Sequence, residues 1–213
     1  MPAGNSHDLW VHLSTGIRTE PKRILLTRSR EEMMTKLATG EMLPDFVYDT
    51  PYQKGLSIHE TIHMKPKTAL VFLRYYGCPF CQLDMRDYAL HIKEITADGG
   101  QFLVVLQSDP VRLKALLDEH PLPYPIICDP EQKLYQAFDI PAADSMESMA
   151  GPGVMEKAAK VKAAGLQHGE YEGTETQLPA VFVVNQNCTL TYVHYAQFVE
   201  DSPTAAQLQE LLK

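Results

Sequence analysis

The stretch Thr68-Ala69-Leu70-Val71-Phe72-Leu73-Arg74-Tyr75-Tyr76-Gly77-Cys78-Pro79-Phe80-Cys81 decides the fold. The run from Ala69 to Leu73 has no polar alternation, which is the pattern of a strand covered on both faces. Two cysteines separated by two residues follow. Leu83, Met85, Tyr88, Ile92 and Ile95 then recur at three- and four-residue spacings, predicting an amphipathic helix to about Thr96, closed by Gly99-Gly100. At such a junction one helical turn brings both sulfurs together, so the pair can cycle between dithiol and disulfide. Cys78 opens the helix and Pro79 fixes its first turn. There the free amides and the helix dipole favour a thiolate, lowering the pKa below the free value of roughly 8.5. Cys78 is therefore the expected nucleophile, and Cys81, one turn further in and more buried, the expected resolving thiol.

Outward from this stretch, Phe102 to Leu106 is a second fully apolar strand, and the intervening helix implies a right-handed parallel crossover. Asp109-Pro110 supplies an N-cap and an N1 proline for a helix bearing Leu113, Leu116 and Leu117. Pro125 to Cys128 reads as a short strand, and Asp129-Pro130 repeats the capping signal for a helix carrying Leu134, Tyr135 and Phe138. Upstream, Ser29-x-x-Glu32 has capping-box spacing for a short helix from Arg30 to Thr39, with Gly40 as its C-cap. Leu56, Ile58 and Ile62, beyond Val47 and Tyr48, predict an edge hairpin or two short strands. Downstream, composition shifts between Pro141 and Gln177 to Ala, Met, Lys and Gly. That segment reads as an insertion with a helix near Val154 to Ala164 and a polar loop from Gln167 to Thr176. Strands at Ala180 to Val184 and Leu190 to Tyr195 and a helix from near Pro203 complete the chain. The expected organisation is an arm and short helix over residues 1–42, then one domain over 43–213 with the insertion at 141–177.

The 213 residues, 45% hydrophobic and 22% charged, have the composition of a globular protein with a substantial core. A net charge of -8 without a basic stripe argues against nucleic acid. No stretch has the length and apolarity of a membrane span, and the N-terminus lacks the apolar core of a signal peptide. The expected compartment is a reducing cytoplasm, where four cysteines are not structural staples and a useful dithiol must cycle.

The elements describe an α/β fold, a mixed central sheet flanked by helices with the cysteine pair at the carboxyl end of a central strand. Together with Pro179 just before the penultimate strand, this arrangement resembles the thioredoxin fold, whose members place a cis-proline opposite the CxxC. Within it, Leu43-Pro44-Asp45-Phe46, Phe72 to Cys81, Pro125 to Pro130 and Pro179 to Val184 resemble the alkyl hydroperoxide reductase and thiol-specific antioxidant (AhpC/TSA, peroxiredoxin-like) branch. The resemblance runs from about Leu43 to Leu212, outside the arm and the insertion. It implies a cis Leu178-Pro179 bond, with Pro79, Phe80, Leu178 and Pro179 against the substrate. The chain departs from peroxiredoxins, whose motif proline and threonine fall on Val71 and Tyr75, and no arginine follows Arg112. It departs from thioredoxin at Phe72, where that family carries a buried acid.

The function these readings imply is thiol-disulfide exchange. A thiol peroxidase and a non-enzymatic redox sensor are the alternatives. The substrate would be a disulfide-containing protein or a small thiol or peroxide, re-reduced by a thioredoxin- or glutathione-type donor; peroxiredoxin relatives often dimerise. Arg74 and Tyr76 are possible auxiliaries to Cys78, although an arginine at a strand end is more often a solvated surface group. Half a zinc site would need two more ligands, for which His59, His63 and His91 are the nearest candidates; Pro79 and the buried strand favour redox chemistry. No flavin, haem or nucleotide motif appears, so no bound cofactor is expected. Cys128 reads as a buried bystander, Cys188 as an exposed turn residue, and His194 as a packed strand residue sharing a face with Leu190 and Tyr192. Met146, Met149 and Met155 read equally as a flexible substrate surface and as ordinary core methionines.

Overall fold

A computed structural model describes residues 36–213. The apolar stretch forms β3 (Lys67–Phe72), the centre of a five-stranded sheet. The other strands are β4 (Gln101–Leu106), β5 (Ile126–Cys128), β6 (Ala180–Asn185) and β7 (Leu190–Tyr195), in the order β5-β4-β3-β6-β7. β3, β4 and β5 run parallel, and β6 pairs antiparallel with both β3 and β7. The mixed thioredoxin-like sheet is consistent with the sequence: the apolar runs of β3, β4 and β6 are those of strands covered on both faces, and all three are central.

On one face, Ala69 and Val71 meet α2 (Pro79–Leu90), α3 (Ile92–Ile95), α4 (Pro110–Glu119) and α7 (Ala205–Leu212). On the other, Leu70 and Phe72 meet α1 (Ile58–His63), α5 (Lys133–Ala137) and the two-stranded β1 (Val47–Tyr48) and β2 (Leu56–Ser57). Phe72 is the hub of this second layer. Its ring lies edge-on to Tyr135, Phe138 and Phe182 at centroid distances of 5.2, 5.6 and 5.6 Å. The last element, α6 (Val154–Ala163), belongs to the insertion.

Several expectations are corrected. The expected pair of short strands is present, β1 running antiparallel to β2, but the second strand ends at Ser57, which accepts a hydrogen bond from the Glu60 N–H and starts α1, burying Ile58 and Ile62 one helical turn apart. Asp129 does cap, but after a turn, accepting from the N–H groups of Lys133 and Leu134, so α5 begins later than Pro130. The long helix after the cysteines breaks at His91, and α7 starts beyond Pro203 under a Thr204–Gln207 capping box. A bulge between Val183 and Val184 inserts Thr191, which puts Leu190 in the core and Tyr192 in solvent. His194 therefore shares a face with Tyr192 and not with Leu190, half-buried with its Nε2 2.9 Å from Asp201 Oδ2. Cys188, at φ 60° in the β6–β7 turn, is buried. Most of the expected helix from Arg30 lies outside the described residues, and Lys36 to Ala38 are not helical.

Phe72→Ala should cost about 3–5 kcal/mol of folding stability, the range for deleting a buried aromatic ring whose neighbours cannot collapse inward. Urea unfolding followed by circular dichroism measures the loss.

Candidate active site

Strand pairing continues one step past β3, where Leu73 N–H donates to Val105 O and Gln107 N–H to Arg74 O. The chain then turns through Tyr75, Tyr76 and Gly77, and Cys78 N–H closes the turn on Tyr75 O at 3.2 Å. Cys78 is the N-cap of α2: its Sγ accepts from the Cys81 N–H at 3.3 Å, in the position a serine or aspartate oxygen usually takes. The Arg74 guanidinium approaches from the other side, Nη2 donating to Sγ at 2.9 Å. Arg74 is thus not the solvated strand-end residue that composition favours. It is 5% exposed and held by the Glu175 carbonyl, which accepts from Nη1.

This environment separates the two thiols. Burial pushes Cys78 up, but hydrogen bonding from Cys81 and the Arg74 charge outweigh it and bring its pKa down to about 6. Cys81 is driven well above its ordinary value by burial, then by hydrogen bonding to Cys78 and the negative charge on that sulfur. Burial pulls Arg74 down, yet the two cysteines leave it raised and firmly cationic. The other cysteines carry no such cation: burial and nearby carboxylates push Cys128 up to about 12, and burial raises Cys188.

Cys78 and Cys81 are both buried, at 0% and 4%, against the expectation of a more open nucleophile. Both belong to the core cluster between the sheet and its helices, and the insertion crosses the turn that leads to them. Residues 168–175 form a strap across the turn, where Gly169 N–H donates to Gly77 O at 2.8 Å and Tyr75 OH lies 2.9 Å from His168 Nε2. Ser108 Oγ donates to Glu172 Oε2, and Thr174 N–H to Gln107 Oε1. A Cβ on Gly77 would sit 2.4 Å from Glu170 O, so a glycine is required for this crossing.

The expected auxiliaries part company here. Arg74 touches the sulfur, whereas Tyr76 packs against the core and gives only its N–H, to Ser108 Oγ. Phe80 and Leu178 join Met149 and Val199 in a small apolar cluster. The expected cis bond before Pro179 is absent, because no peptide bond among the described residues is cis. The insertion supplies the reason. Gln177 bridges Ala142, and Leu178 N–H donates to Pro141 O at 3.1 Å, so the segment enters β6 already extended. Pro179 O accepts from Ala196 N–H, and the bond to Pro141 O leaves the Leu178 N–H occupied rather than open to substrate. Sequence reasoning missed Gln107, Ser108, His168, Glu172 and Glu175. Each lies far along the chain from the cysteines, and only Gly77 and Gly169 hint at their meeting. Among the described residues, no group of three His, Cys, Asp or Glu side chains is close enough to hold a metal ion.

The sequence profile of the AhpC/TSA family matches residues 39–193. Among solved structures, the fold is similar to peroxidoxin BcpB of Mycobacterium tuberculosis, at TM-score 0.58 and 12% identity over 82% of this chain and 95% of that one. It is also similar to a Cys-to-Ser mutant of peroxiredoxin 6 of Arenicola marina, at TM-score 0.61 and 13% identity over 83% and 72% of the two chains. A candidate thiol:disulfide interchange protein DsbE of Chlorobium tepidum aligns at TM-score 0.51 and 13% identity over 83% and 94%. No curated protein sequence matches.

The ultraviolet thiolate absorbance of the reduced protein, minus that of Cys78→Ser, should titrate near pH 6, the thiolate present above and lost below. Arg74→Met should move that transition up by roughly one to three units, the usual effect of removing an adjacent opposite charge. Gly77→Ala should lift the strap and speed alkylation of Cys78 by iodoacetamide, measured by mass spectrometry at a pH where the thiolate predominates in both proteins.

Proposed function

The chain belongs to the AhpC/TSA family and is a thiol-dependent oxidoreductase, and from that premise we propose that its reaction is dithiol-disulfide exchange through Cys78 and Cys81. The observation that carries this reading is the divergence of two contacting thiols, Cys78 down to about 6 and Cys81 well up. A pair of titratable groups pushed apart by their surroundings divides into an ionised and a protonated role. Cys78 thiolate attacks one sulfur of the substrate disulfide, forming a mixed disulfide and releasing one thiolate. Cys81 loses its proton and attacks Cys78 Sγ, releasing the second thiol and leaving a Cys78–Cys81 disulfide. A thioredoxin- or glutathione-type donor returns two electrons, and a reducing cytoplasm suits that cycle.

Arg74 favours a second reading. A guanidinium beside a thiolate can also polarise a peroxide, in which case Cys78 becomes a sulfenic acid and condenses with Cys81 to the same disulfide, losing water. A side-by-side assay separates the two. Reduced protein should cleave diphenyl disulfide faster than it consumes tert-butyl hydroperoxide, Cys78→Ser should abolish both reactions, and Cys81→Ser should accumulate a mixed disulfide on Cys78. Faster peroxide consumption, with sulfenic acid trapped on Cys78 of Cys81→Ser, would overturn the exchange reading.

A further inference from the structure

A cavity of about 540 Å³ opens beside the cysteine turn, within the range of small-molecule sites. One wall belongs to the turn, with Arg74 and Phe80; another is the insertion helix α6, with Val154, Ala158 and Val161 at i, i+4 and i+7 on one face. Met149 closes the gap between them, its Sδ 3.9 Å from Arg74 Nη1. A stripe of this spacing normally faces a protein core, but here part of it lines a cavity. Arg74 is the one buried charged residue on the wall. It is the same side chain that touches Cys78 Sγ, and its Nε has no hydrogen-bond partner among the described residues.

The cavity is built and held open. Lys157, on α6, reaches across to Asp84 Oδ2 and Ser202 Oγ, each at 2.7 Å, in an ion pair whose two side chains are 11% and 14% exposed. Its ammonium also stands 5.6 Å from the centre of the Phe80 ring. The carboxylate of Glu200 accepts from the N–H groups of Gly151 and Gly153 just before α6.

We propose that this cavity binds one apolar arm of a low-molecular-weight disulfide and directs its S–S bond to Cys78. The proposal rests on the exchange reading of the two thiols. The strap crosses the chain at Gly77, the residue before Cys78, and the occupied Leu178 N–H removes the backbone edge an extended peptide would pair with. The cavity ends at Arg74 and Pro79, on either side of Cys78 in the turn; Cys78 itself is buried and does not line it, so exchange requires the sulfur to be uncovered at that end. Apart from Arg74, Lys162 and Gln167 its lining is apolar and suits alkyl or aryl groups, and it offers no carboxylate to pair the ammonium on an arm of glutathione disulfide. At the Arg74 end, Cys78 thiolate bonds to the nearer sulfur while the S–S bond breaks, and the departing thiolate forms beside a guanidinium. Cys81 then displaces the bound arm as a second thiol, and an external dithiol reduces the resulting Cys78–Cys81 bond.

The test combines turnover with binding. With dithiothreitol as reductant, kcat/KM measured on dimethyl, diethyl and di-n-butyl disulfide should rise about three- to fourfold for each methylene added to an arm, the increment for burying a methylene. It should be lower again on glutathione disulfide. Ala158→Trp and Val154→Trp, each checked for folding by circular dichroism, should flatten that series. Di-n-butyl sulfide, which cannot exchange, should bind Cys78→Ser protein in a calorimeter, and either Trp substitution should weaken it at least tenfold. A flat series with no thioether binding overturns the cavity proposal while leaving disulfide exchange standing. Thioether binding without turnover of any disulfide overturns exchange itself, and with it the assignment of a disulfide arm to the cavity.

Discussion

A buried guanidinium on a buried sulfur holds this site together. Arg74 lies inside the protein, where a cation without compensation is costly and a partial set of partners is worse than none. Its partners come from three separate parts of the chain: Cys78 Sγ at the start of α2, the Glu175 carbonyl in the insertion, and the Tyr75 ring, 5.7 Å from the guanidinium carbon, in the turn between. Each needs the others in place. The end of β3 delivers Arg74, the cap geometry of α2 turns the sulfur toward it, and the strap supplies the carbonyl. Excluding water strengthens the contact, because the same charges attract more strongly in a medium of lower dielectric.

Much of the frame was legible in the sequence because it is built by local rules. Ala69 to Leu73 and Phe102 to Leu106 admit only a strand covered on both faces, and Asp109-Pro110 admits little but a helix start; Asp109 Oδ1 does accept from Val111 and Arg112. Where two local rules competed, the sequence reading chose the wrong one. Leu56, Ile58 and Ile62 fit a strand period, and Leu56 and Ser57 do pair with β1, but Ser57-x-x-Glu60 is also a capping signal and the chain turns helical from Ile58. The β7 faces failed for another reason: one inserted residue at Thr191 reverses the alternation, and the alternation alone carries no trace of it.

The site was legible only in its cysteines. Arg74 looked like a surface residue because burial is a property of what covers it, and what covers it lies about a hundred residues away. The strap contributes polar residues, His168, Glu172, Thr174 and Glu175, that compose an ordinary loop until they meet Tyr75, Gln107 and Ser108. The same insertion overrode the expectation at Pro179. A bridge joins Ala142 to Gln177 just before the proline, and the Leu178–Pro179 bond is trans.

The coupling between the two thiols gives the proposed exchange its direction. Cys81 is held protonated first by burial, then by hydrogen bonding to Cys78 and the charge on that sulfur, while Arg74 pulls the other way. When Cys78 attacks, its charge leaves with the departing thiolate and its lone pair enters a covalent bond. Both contributions that Cys78 makes to the high Cys81 pKa disappear in that step. Arg74, deprived of its anionic partner, remains to stabilise a thiolate on Cys81. Asp84, three residues on in α2, opposes that ionisation, but its own charge is shared with Lys157 and Ser202. The resolving thiol therefore becomes more acidic after the mixed disulfide forms and not before, when a sulfur for it to attack is in place.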